Sequence, residues 1–258
     1  MAEPIKKFEK VTLLITHYNR SKSLERLLLT FSKGGCAFEE IIVSDDGSKA
    51  EHLDYIRQLQ DRFAFTLLTT PKNRGLGNNI NKGQDAVKTE YTLYVQEDFI
   101  PLEGFCANFE NGLKIIESDL DVDSVRFYSY INYPKLKPFK YGFSEMIFDP
   151  WSLNLDKITM YSDHPHLRRS NFFEKFGRYS EIKSSDQTEY DMMISFLKKK
   201  NKAYFFADYK AIFEPINSSD EPSMVARNYW RNTDNFFVAI ARRIYRQLKF
   251  NYRYFLCK

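Results

Sequence analysis

An α/β fold, with a mostly parallel central sheet flanked by helices and a basic helical tail, is predicted by three observations. Apolar, β-prone runs alternate with segments of helical periodicity through roughly the first hundred residues; clusters of Asp and Asn follow the ends of those runs; and a basic, aromatic amphipathic segment closes the chain. Repeated strand-helix-strand units close by right-handed crossovers, so the strands run parallel and ligands meet the loops at their C-terminal ends.

Val11 to Thr16 reads as a buried strand that ends in the polar run His17-Tyr18-Asn19-Arg20. Ser21 is the expected N-cap of a helix in which Leu24, Leu27, Leu28 and Phe31 form one stripe, and Gly34-Gly35 stops it. Ile41-Ile42-Val43 gives a second strand, Asp45-Asp46-Gly47-Ser48 a turn, and Ser48 with Glu51 a capping box for a helix bearing Leu53, Ile56 and Leu59. Phe65 to Thr70 is a third strand, followed by Pro71 to Gly75 and a helix marked by Leu76, Ile80 and Val87; Tyr91 to Val95 is a fourth, ending at Gln96-Glu97-Asp98. Beyond Pro101 the rhythm weakens. Phe105, Phe109, Leu113 and Ile116 suggest a helix, Val122 to Tyr130 a strand, Asn132 to Asp163 loops, Asp186 to Lys200 a helix, Ala203 to Ala207 a strand and Asn228 to Leu248 a terminal helix.

A hydrophobic fraction of 43% and a charged fraction of 28% argue for a folded chain, and 258 residues suit one large domain with a tail. The three cysteines, Cys36, Cys106 and Cys257, are far apart and form no C-x-x-C pair, so neither a disulfide framework nor a zinc knuckle is suggested. The charged N-terminus and the lack of any run near the ~20 apolar residues needed to span a bilayer lead to the expectation of a cytoplasmic protein.

Glu97 and Asp98 at a strand end are hard oxygen ligands suited to Mg²⁺ or Mn²⁺ on a diphosphate, or else solvated turn residues. Asp45 and Asp46 occupy the position from which acids bond a base or ribose, although Asp-Asp-Gly-Ser is also a good turn. Gly75-Leu76-Gly77 fails the dinucleotide spacing because Ile80 stands at the third glycine, and no phosphate loop or H-E-x-x-H occurs. His164-Pro165-His166 reads as a surface loop in preference to a metal site. Asp186, Glu189 and Asp191 near a helix start are candidates for a general base, and a helix start favours carboxylates in any case.

Together these clusters resemble the family 2 inverting glycosyltransferases of GT-A fold, from about Val11 to about Phe213. Thr16-His17-Tyr18-Asn19-Arg20 is similar to the family's T-x-Y-N-R segment, Ile41 to Ser48 to its strand and D-D-G-S turn, and Asn73-x-Gly75 with Asn81-x-Gly83 to its helix entry. Gln96-Glu97-Asp98 stands in the place of the acidic metal motif, and Thr188 to Met192 resembles the E-D-x-[ED]-[LM] segment. The resemblance implies inverting transfer of a sugar from a nucleotide-diphosphate donor, a UDP-sugar, to a saccharide or lipid-linked saccharide acceptor in bacterial surface glycan synthesis. It implies Thr16, Tyr18, Arg20, Asp45, Asp46, Asn73 and Gly75 on the nucleotide, Asp98 on Mn²⁺ or Mg²⁺ with Glu97 and Glu214 as further ligands, and Glu189 as base with Asp186 and Asp191 as alternatives. Gln96, Ile80 and the Thr188-Glu189 pair depart from the usual acid, Arg and Glu-Asp pair. A catalytically silent sugar-nucleotide-binding protein and a sugar nucleotidyltransferase are the competing readings; the latter needs a Gly-rich basic loop after the first strand, which His17 to Arg20 is not.

Residues 1–225 are expected to form the glycosyltransferase domain, with a nucleotide-binding half at about 1–100 and an acceptor half at about 101–225, and residues 226–258 the tail. In the tail Phe236, Phe237, Ile240, Ile244 and Leu248 form a stripe beside Arg231, Arg242, Arg243, Arg246 and Lys249. Such a helix lies on an anionic membrane, peripheral to its inner face, or packs on the domain. Nucleic-acid binding is not expected, because no recognised motif accompanies the charge.

Overall fold

The computed structural model describes residues 5–216, 221 and 236–257. Four parallel strands form one half of a nine-stranded sheet: β1 (Lys6–His17), β2 (Cys36–Asp45), β3 (Thr66–Leu68) and β4 (Tyr91–Gln96). β1 pairs with β2 through Leu13 and Ile41, and with β4 through Val11 and Tyr91. The connecting helices are α1 (Ser21–Lys33), α2 (Ala50–Gln60) and α3 (Leu76–Ala86). A short β5 (Phe99–Pro101) and α4 (Phe105–Ser118) follow.

The second half is mixed. β6 (Ser124–Arg126), β7 (Leu136–Pro138), β8 (Phe143–Met146), β9 (His166–Arg169) and β10 (Ala203–Phe206) complete the order β3-β2-β1-β4-β9-β6-β10-β8-β7. β9 is antiparallel to both β4 and β6 and so joins the two halves. The segment expected to be loops therefore supplies β7, β8 and a 3-10 turn at Leu155–Met160. It is followed by α5 (Phe172–Phe176), α6 (Ser185–Lys198) and β11 (Phe213–Pro215), which pairs with β5.

Apolar residues line both sheet faces. One cluster unites Leu13, Ile15 and Val43 with the α1 stripe and the aromatic side of α4; the other unites Leu14, Ile42 and Tyr94 with Met192, Met193 and Phe196 of α6. The alternation of Leu13 and Leu14 between the two is the two-residue period of a strand covered on both faces. α3 lies tight on the sheet at Gly83, where a Cβ would come within 2.5 Å of the Leu14 side chain, and tight against the 180 loop at Gly77, where it would come within 2.2 Å of the Ser180 carbonyl.

Two expected caps are replaced. Ser21 is the first helical residue, bonded by its hydroxyl to His52, and the amides of Lys22 and Ser23 are capped by the Glu221 carboxylate at 3.0 and 2.8 Å. Ser48 forms no capping box: its hydroxyl donates to Asp45 Oδ1 at 2.5 Å and accepts from the Asn19 amide at 2.8 Å, tying two loops together.

At the C-terminus, α7 (Phe236–Asn251) runs into a π-helical turn, Tyr252–Leu256. Residues 228–235 of the expected terminal helix lie outside the described residues. Phe250 is buried and, with Tyr254, packs against Phe148, whereas Ile240, Ile244 and Leu248 are exposed. Among the described residues no helix is long and apolar enough to cross a membrane.

Candidate active site

Two cavities meet at the start of α6. The first, of about 490 Å³, is lined by Thr16, Tyr18 and Arg20 after β1, Asp46 after β2, Asn73 and Gly75 before α3, Gln96, Glu97 and Asp98 after β4, and Ser184 to Asp186. It lies at the C-terminal ends of the parallel strands. Asp46 accepts the amides of Arg74 at 2.8 Å and Gly75 at 2.9 Å, which fixes the entry to α3. Burial nevertheless raises its carboxyl above the ordinary value, against the pull of those two amides.

Asp45 faces the other way. It is fully buried and accepts from His17 at 2.8 Å, Thr69 at 2.8 Å, and the amides of Gly47 and Ser48 at 3.0 Å each. The Arg20 amide donates to His17 Nε2, so the imidazole proton sits on Nδ1 and is given to Asp45. Burial opposes its charge, but the bonds from His17 and Ser48 outweigh burial and hold the carboxyl well below its usual range. Asp45, expected on the nucleotide, thus clamps the turn and is not among the described residues that line this cavity.

Arg20 is buried and donates to Asp98 Oδ2 at 3.0 Å and to the Ile216 carbonyl at 3.3 Å, with Glu97 3.7 Å away. Burial first and the neighbouring Asp98 second push the Glu97 carboxyl up to about 8, against the Arg20 cation. Asp98 Oδ1 is buried and, among the described residues, has no hydrogen-bond partner. That leaves one carboxylate oxygen for a divalent cation, and Mg²⁺ or Mn²⁺ bound to a diphosphate needs only one or two protein carboxylates. The residues fit such an ion, although among the described residues no group of three or more His, Cys, Asp or Glu is placed to hold one. Glu214, expected as a further metal ligand, is exposed opposite Ile100 in β11 and is not among the described residues of this lining.

The second cavity, of about 440 Å³, is lined by Arg126, Tyr130, Ile131, Tyr161, His164, Asp186, Glu189, Tyr190 and Met193 among others. Among the described residues, only Asp186 lines both. Glu189 Oε1 accepts the Asp163 amide at 3.2 Å. Burial raises its carboxyl, opposed by that amide and by Arg126. Asp191, the other alternative base, is held by Lys183 at 2.5 Å, Gln187 at 2.8 Å and Arg253 at 2.5 Å, outside both cavities.

Arg126, His164 and the buried Asp163 were missed as site residues. His164-Pro165-His166 is no surface loop: His166 is buried in β9, and burial, then Arg126, depress His164 to about 3, so its ring is neutral at the cavity wall. Their one sequence signal was the His-Pro-His cluster itself.

The sequence profile of Glycosyl transferase family 2 matches residues 12–204. The chain belongs to glycosyl transferase family 2. A cholesterol galactosyltransferase of Borreliella burgdorferi is 27% identical over 89 residues, 34% of this chain and 25% of that protein. A poly-beta-1,6-N-acetyl-D-glucosamine synthase of Staphylococcus aureus is 26% identical over 96 residues, 37% of this chain and 23% of that protein. The matched segment thus spans about a quarter of the length of these relatives. In fold, the chain is similar to S. aureus TarS 1–349 in complex with UDP, with a TM-score of 0.61 and 17% identity over 95% of this chain and 72% of that one. The mannosyltransferase PcManGT of Pyrobaculum calidifontis, in complex with GDP-Man and Mn²⁺, gives a TM-score of 0.52 and 14% identity over 75% of this chain and 53% of that one. The fold is that of GT-A glycosyltransferases, with the parallel strands β3-β2-β1-β4 at its core.

Proposed function

We propose that this family 2 glycosyltransferase moves a sugar from a UDP-sugar in the first cavity to a hydroxyl of a saccharide or lipid-linked saccharide acceptor in the second, with inversion, in the synthesis of a surface glycan. The observation that carries the reading is the meeting of the two cavities at Asp186, with Asp98 on one side and Glu189 on the other. The named ligands of the TarS structures, UDP and UDP-GlcNAc, support the donor class, and the likeness to a polysaccharide synthase supports the product class.

In this reading Thr16, Tyr18, Asp46, Asn73 and Gly75 surround the nucleoside, while Arg20 and Asp98 face the diphosphate. A divalent cation on Asp98, when bound, neutralises charge on the leaving diphosphate. Glu189 takes the proton of the acceptor hydroxyl, whose oxygen attacks the anomeric carbon as the bond from that carbon to the diphosphate oxygen breaks. The proton ends on Glu189 and the electron pair on the nucleoside diphosphate. Arg126 beside Glu189 stabilises the carboxylate that must accept that proton.

The test is calorimetric titration with UDP, GDP, CDP and dTDP, each with Mn²⁺, Mg²⁺ or chelator, on wild type and Asp98→Ala. Metal-dependent binding of UDP alone, weakened at least tenfold in the variant, is expected; absence of binding to any of the four sinks the reading. Binding without turnover across acceptors would favour the silent sugar-nucleotide-binding alternative.

A further inference from the structure

Cys36, the first residue of β2, and Cys106, the second residue of α4, line one cavity of about 510 Å³ with Phe31, Lys33 and Glu103. Among the described residues, none of that lining belongs to the Thr16–Asp98 cavity. Cys106 Sγ donates to the carbonyl of Gly35, the residue before Cys36, at 3.8 Å. Both cysteines thus line one cavity, with the Cys106 sulfur against the backbone that leads into Cys36. The pair differs in access: Cys36 is 6% exposed, whereas Cys106 is half-buried at the cavity wall. The neighbouring Cys106 first, and burial second, push the Cys36 thiol up and keep it protonated. Cys106 is therefore the entry point and Cys36 the resolving partner.

We propose that Cys36 and Cys106 form a reversible thiol-disulfide site that reacts with low-molecular-weight disulfides entering this cavity. The Cys106 thiolate attacks one sulfur of RSSR, giving a mixed disulfide and releasing RS⁻, which takes up the proton that Cys106 lost. Cys36 then gives up its proton and attacks the Cys106 sulfur; the second RS⁻ leaves and takes that proton. Two protein thiols are oxidised to one disulfide and RSSR is reduced to two RSH, with no further oxidant. The inference stands independently of the glycosyl-transfer reading.

The full chain is incubated with oxidised glutathione, its free thiols are alkylated, and the digest is mapped by mass spectrometry. The expected product joins the Cys36 and Cys106 peptides and leaves Cys257 outside the crosslink; dithiothreitol reverses it. The crosslinked protein melts about 5 °C or more higher than the reduced one, since the bond closes a long loop. In Cys36→Ser the reaction stops at a glutathione adduct on Cys106, and Cys106→Ser gives no crosslink. Full alkylation of Cys36 and Cys106 after oxidation, or a stable glutathione adduct on Cys106 in the wild type, overturns the proposal.

Discussion

Asp186 and Glu189 share one face of α6 yet meet different surroundings: Asp186 is exposed where the cavities join, whereas Glu189 is enclosed beside Arg126 and the Asp163 amide. Enclosure sets the direction of a pH effect. A base must be deprotonated to act, and burial raises the Glu189 carboxyl above 4.5, so the rate should rise with pH through a midpoint above that value. Glu189→Gln should lower kcat by about 10²-fold or more and remove this acid limb, while UDP affinity stays within about twofold. Steady-state kinetics across pH checks both; an unchanged limb transfers the role to Asp186. The same contrast explains what could be read beforehand. Asp46 and Asp98, both singled out at strand ends, line the first cavity. Asp45 does not, because successive residues leaving a strand point to opposite sides, and its side goes to His17, Ser48 and Thr69.

At the scale of elements, α1 shows what a local pattern reveals. Its buried face was legible, since Leu24, Leu27, Leu28 and Phe31 repeat at helical spacing and are all buried. Its cap was not, because the acceptor comes from Glu221, far along the chain, while Ser21 turns to His52. Glu221 accepts from the Lys22 amide, the Ser23 amide and the Ser23 hydroxyl. Glu221→Ala should therefore cost about 1–2 kcal/mol of stability, read from urea unfolding, with little loss for Ser21→Ala as a cap. β1, β2 and β4 were legible for a similar reason, since each carries a β-prone apolar run that is largely buried, whereas the edge strand β3 keeps only three residues and is partly exposed. β9 was not, because its four residues include Arg168 and Arg169, and its pairing depends on β4 and β6, both distant in sequence.

For the whole molecule, the tail divides its surface. Phe250 and Tyr254 pack on the domain, and Lys249 lies over the Tyr190 ring at 4.5 Å, beside the second cavity. Ile244, Tyr245 and Leu248 stay exposed in a helix carrying Arg242, Arg243 and Arg246, and Trp151, 77% exposed, stacks on Phe255. The residues that pack and those that stay exposed are thus different ones of one segment. We expect the chain to cosediment with vesicles containing phosphatidylglycerol, less so at high salt, and Ile244→Asp with Leu248→Asp to abolish it. Equal sedimentation of the double variant would leave the stripe without that role.

Asp186, as the wall shared by two compartments, carries a thermodynamic consequence. A ligand that moves or neutralises this carboxylate from one side alters what the other side encounters, so the occupancies are linked. Whatever factor a bound nucleotide sugar applies to acceptor affinity, the acceptor must return to the nucleotide sugar. Cooperativity between the substrates would then arise within a single chain, without a second subunit.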